Sequence, residues 1–93
     1  MSLGDDFKFR KSQSSEAALY EQLAEECVEL AHACLKKSRL LRGESPTSLT
    51  VNDIDGMVED EYTDVFLVSD MLDMHVDPEQ YWNKVERWAE RLS

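Results

Sequence analysis

Apolar residues recur at three- and four-residue spacings along three stretches of the chain, and nowhere alternate with a period of two. That spacing lines side chains along one face of an α-helix, so the chain reads as all-α. The first stretch runs from about residue 15 to residue 41 without Gly or Pro, opens on Ser14-Ser15-Glu16 and stops at Gly43. Glu44-Ser45-Pro46-Thr47-Ser48 reads as a loop. A second helix is expected from residues 50–52 to about residue 75, with Gly56 costing roughly 1 kcal/mol against alanine and loosening its first turns. Asp77-Pro78-Glu79-Gln80 has the form of a third helix start, with Asp77 as cap and Gln80 reaching back to close a box. That helix ends at Leu92. Residues 1–14 are mostly polar and mixed in charge, with Phe7 and Phe9 as large anchors, and read as a flexible arm, leaving residues 15–93 as a single domain.

The faces of these helices carry an anomaly. With Glu26 at zero on a helical wheel, Leu19, Leu23, Leu30, Ala33 and Lys37 fall within about 60° of it. With Asp64 at zero, Met57, Glu61, Leu67, Val68 and Met71 fall within the same arc of about 60°. Carboxylates therefore sit on the stripes that should pack inward, where an ionised group costs several kcal/mol unless something compensates it. Ala17, Ala24, Val28, Ala31 and Leu35 form a second apolar side on the first helix. Three helices cannot cover both sides, so the expected fold is a three-helix bundle completed by oligomerisation, as a homodimer or homotetramer.

Glu26 and Glu29 are spaced i, i+3, and so are Glu61 and Asp64. Two packed helices can converge these four carboxylates on one volume, and an oxygen-only donor set suits Mg²⁺, with Mn²⁺ as a substitute. Glu25, about 100° from Glu26, has three readings: a base, a ligand or a solvated side chain. Asp60, about 40° from Asp64, is an accessory carboxylate. Lys37 on the Glu26 stripe either reaches the site or snorkels from the end of the core.

Composition narrows the partners. A net charge of −10 over 93 residues opposes a nucleic-acid polymer or an anionic membrane surface. A small phosphate compound stays open, because a metal ion reverses the local sign. Cys27 and Cys34, about 10 Å apart along one helix, cannot pair with each other. Free thiols, no signal-peptide core and no apolar run near the roughly 20 residues of a membrane span point to the cytoplasm.

At Glu25, Glu26, Glu29, Glu61 and Asp64 the chain resembles the MazG-related, all-α nucleoside triphosphate pyrophosphohydrolases, whose signature is EExxE on one helix and ExxD on the next. The similarity extends over roughly residues 16–92, through the stretch from Met57 to Leu72 and the closing basic run from Asn83 to Arg91. The resemblance implies a MazG-like fold and Mg²⁺-dependent cleavage of a nucleoside triphosphate, or its deoxy form, to monophosphate and pyrophosphate. It implies metal ligation by Glu26, Glu29, Glu61 and Asp64, with Glu25 as accessory, and makes Lys84 and Arg91 phosphate contacts. Glu25 or Glu29 is the expected base for the attacking water. The stretch between Glu29 and Glu61 is long for the family, and Trp88 stands where several relatives carry an Asn.

Three other readings compete. A phosphoribosyl-ATP pyrophosphohydrolase shares the carboxylates and differs in substrate. A di-iron bundle would use Glu29-Leu30-Ala31-His32 as an ExxH, but the second helix offers Leu72-Asp73-Met74-His75 with no Glu in first place. A non-enzymatic acidic helical module would leave Glu26 facing solvent or a basic partner.

Overall fold

The computed structural model describes residues 15–44 and 48–93; the arm read over residues 1–14 lies outside them. They form three α-helices, α1 (Glu16–Arg42), α2 (Val51–Met71) and α3 (Pro78–Leu92), with no strand among the described residues. α1 begins where the Ser15 side chain accepts a hydrogen bond from the Ala18 N–H. It ends on Gly43 in the left-handed conformation (φ 70°), with the Glu44 N–H bonded to the Arg39 carbonyl and the Gly43 N–H to that of Leu40. This pairing satisfies carbonyls that a helix end leaves free, and glycine takes the required φ without steric cost.

α2 opens on a complete capping box. The Thr50 hydroxyl accepts from the Asp53 N–H, and the Asp53 carboxylate accepts from the Thr50 N–H. Hydrogen bonding to the carboxylate from Thr50, first from its backbone N–H and then from its side chain, holds the Asp53 carboxyl below its ordinary range. The helix is continuous through Gly56, contrary to the loosened start expected from that residue. It also stops at Met71, four residues before the expected His75. Asp73 takes a left-handed φ of 54°, while the Met74 N–H reaches the Ser69 carbonyl and the Asp73 N–H that of Asp70. The termination is the same as at Gly43, with Asp in place of Gly; a short polar side chain tolerates this backbone region.

α3 begins at Pro78 as expected, but the Asp77 side chain makes no capping hydrogen bond, so the box read from the sequence does not form. Pro78 alone accounts for the start: its fixed φ suits the first turn and it has no N–H to satisfy.

α1 and α2 pack against each other as a hairpin, and the four buried apolar residues among those described, Leu19, Ala33, Ile54 and Val68, all belong to it. Leu19, Ala33 and Val68 lie on the two expected inward stripes; Leu67, expected there too, is 44% exposed. Every residue of α3 is exposed, although the helix divides cleanly into an apolar face and a charged one. The second apolar side of α1 is open as well, with Val28 and Leu35 more than half exposed. Cys27 and Cys34 are free and exposed on α1. No helix among the described residues is long and apolar enough to cross a membrane.

Candidate metal centre

The hairpin seam brings Glu26 and Glu29 of α1 together with Glu61 of α2. One carboxylate oxygen from each lies within 4.8 Å of the others. Glu26 and Glu61 are half-buried and Glu29 is exposed at the mouth. The Gln22 amide donates to Glu26 Oε1 at 2.7 Å, which orients that carboxylate from one turn away. Its other oxygen, Oε2, is buried without a hydrogen-bond partner, and so is Oε2 of Glu61.

Two buried carboxylate oxygens without partners on one seam are costly, and a cation between them would offset that cost. Burial pushes the Glu61 carboxyl above its ordinary range; the neighbouring carboxylate of Glu29 and the charges of Asp60 and Asp64 push in the same direction. One oxygen from each of the three residues lies close enough to the others for a single hard cation to be shared among them. The three residues therefore fit a hard divalent ion, with Gln22 as the group that holds one ligand in place.

The other residues singled out from the sequence are distributed unevenly. Asp64 is half-buried on the face of Glu61 but outside the close triad, and acts on Glu61 through its charge. Glu25 is exposed and also outside the triad. Lys37 is half-buried and ion-paired with Asp55 of α2, one helical turn before Glu59. Lys84 and Arg91 share a cleft of about 230 Å³ with Arg87 and Trp88 on α3, where the Arg91 guanidinium lies 5.6 Å from the Trp88 ring centre.

A separate cleft of about 220 Å³ opens at the carboxylates and is lined by Glu29, Asp60 and Glu61 together with His32 and Lys36. Lys36 lies off the Glu26 stripe that Lys37 occupies, so position relative to Glu26 does not single it out. The signal lay in the spacing from Glu29 instead: His32, Ala33 and Lys36 follow it at i+3, i+4 and i+7, one continuous face. No protein-family model, curated protein or solved structure matches the chain, so its site is read from its own chemistry.

Proposed function

We propose that the chain is a Mg²⁺-dependent nucleoside triphosphate pyrophosphohydrolase of the MazG-related kind, releasing pyrophosphate and a nucleoside monophosphate. The observation that carries this reading is the pair of buried, unpartnered oxygens of Glu26 and Glu61 within the three-carboxylate cluster. Carboxylates facing solvent or a basic partner, as in the interaction-module reading, would not be left this way. Mg²⁺, when bound by Glu26, Glu29 and Glu61 with Asp64 beside them, supplies charge neutralisation for the phosphate oxygens and the pyrophosphate leaving group.

The protein's own groups divide the remaining work. Glu26, fixed by Gln22, and Glu61 would hold the ion, one from each helix of the hairpin. Glu29 stands at the open mouth, where water has access, and is the better placed base for taking the proton of the attacking water. Glu25 serves as an accessory charge on the exposed flank. Lys84 and Arg91 are cations for the substrate's phosphates once α3 is brought to the site. Lys37, held by Asp55, braces the hairpin.

The active form is a homo-oligomer on this reading. Trp82, Trp88 and Leu92 of α3 are 63%, 58% and 80% exposed, and Val28 and Leu35 open a second apolar face on α1. Apolar side chains this exposed on so small a chain are what a second copy would cover.

A pyrophosphate-release assay over canonical and modified nucleoside triphosphates, with phosphoribosyl-ATP included, tests the proposal. Release that needs Mg²⁺ or Mn²⁺ and disappears in Glu61→Gln with helical circular dichroism intact is the expected result. Absence of release from every nucleotide at saturating metal would refute it.

A further inference from the structure

The hairpin places its cations on one side only. α2 contains no Lys or Arg, and those of α1 are Lys36, Lys37, Arg39 and Arg42, all beyond the carboxylates toward the helix C-terminus. Of these four, Lys36 lines the carboxylate cleft. Lys37, 100° further round the helix, is ion-paired with Asp55. Lys36 is exposed and has no ion-pair partner among the described residues, although Glu29, Asp60 and Glu61 line the same cleft. Its Cα lies seven residues from that of Glu29, about 10 Å along the axis, with His32 between them on the same face.

We propose that Lys36 holds the terminal phosphate of the substrate and thereby makes this cleft select triphosphates over diphosphates. The inference rests on the pyrophosphohydrolase reading for its substrate class. A polyphosphate whose inner phosphates sit at the carboxylates has one cationic direction to follow within the hairpin, toward His32 and Lys36. The opposite direction along α1 offers Leu23, Gln22 and Leu19, none of which is charged. A diphosphate anchored in the same way ends short of Lys36 and loses that contact. The ammonium is a charge-assisted donor to a phosphate oxygen, and its loss removes one such bond from triphosphates alone.

Titration calorimetry of the Mn²⁺-loaded full chain with inorganic tripolyphosphate and with pyrophosphate reads this directly. The wild-type chain should bind tripolyphosphate more tightly than pyrophosphate. Lys36→Gln should weaken tripolyphosphate binding about tenfold or more while changing pyrophosphate binding less than about threefold. Lys36→Arg should restore most of the preference, and Mn²⁺ affinity measured by electron paramagnetic resonance should be the same in all three proteins. Equal tripolyphosphate binding by wild type and Lys36→Gln overturns the assignment, as does a wild-type chain with no preference. If no nucleotide is cleaved yet Lys36→Gln loses tripolyphosphate, the hydrolase reading falls and the phosphate contact stands. If Glu61→Gln abolishes cleavage while Lys36→Gln binds normally, the hydrolase reading stands and Lys36 is excluded.

Discussion

In the α1–α2 hairpin the apolar stripes carry four carboxylates and still close on one another, whereas α3, whose apolar and charged faces are cleanly divided, buries none of its residues. An amphipathic pattern states that a face needs covering; it does not state what covers it. The hairpin covers its stripes within one chain because α1 and α2 pack side by side and bury Leu19, Ala33, Ile54 and Val68 between them. α3 follows a six-residue connection after Asp73 has turned the chain, and its apolar face is left for another surface. The carboxylates follow the opposite logic. Charged groups on a closed seam are costly, whereas Glu79, Glu86 and Glu90 of α3 stand in solvent, and that cost is the ground on which a cation is proposed at the seam.

The contrast is sharpest at the centre of each region. Ile54 is 2% exposed, and Ile54→Ala should lower unfolding stability by about 3 kcal/mol, read by urea denaturation. Trp88→Ala, at concentrations where sedimentation shows single chains, should change it by less than about 0.5 kcal/mol. Equal losses would mean that α3 is packed in solution even in the monomer.

Metal should then separate the carboxylate seam from the rest. At about a hundredfold its dissociation constant, Mg²⁺ should stabilise the chain by about 2.7 kcal/mol, and Glu61→Gln should remove this increment. Without metal the same substitution should raise the melting temperature, because it takes one charge from beside Glu29, Asp60 and Asp64. A melting temperature that Mg²⁺ never moves would leave the buried oxygens of Glu26 and Glu61 unexplained.

The pH dependence follows from the raised Glu61 carboxyl. In the metal-free chain the folded state holds this proton more tightly than the unfolded state does. Its stabilising contribution is therefore complete below the ordinary glutamate value and is lost as pH rises through the raised one. Mg²⁺ competes with that proton, so its increment should be full above the raised value and shrink as pH falls through it. Melting curves with and without Mg²⁺, taken down a pH series into the carboxylate range, measure both trends.

The smallest effects compare the two helix starts. Thr50→Ala, which breaks the capping box of α2, should cost about 1 kcal/mol, whereas Asp77→Ala at the start of α3 should change stability by only a few tenths. Gly56→Ala should stabilise α2 by about 0.5 to 1 kcal/mol, since a Cβ there meets nothing within 4 Å. Chemical denaturation resolves all three.

Much of this arrangement was legible residue by residue. The number of helices, the start of each and the end of α1 follow from apolar spacing, Ser15, Thr50, Pro78 and Gly43, because these signals act within one or two turns of chain. The same counting put Glu26, Glu29, Glu61 and Asp64 on facing stripes; the structure brings the first three close together and leaves Asp64 outside that cluster, a difference of side-chain reach that counting does not carry. The end of α2 was not legible: Asp73 adopts a conformation that glycine usually signals, and the bonds from Met74 and Asp73 back to Ser69 and Asp70 make it worthwhile. Nor could counting separate Lys36 from Lys37. Which of two adjacent cations enters the cleft and which pairs with Asp55 depends on how far α1 is rotated about its own axis against α2. Periodicity is a property of a single helix and is written locally, whereas rotation, separation and the uncovered state of α3 arise only when two surfaces meet.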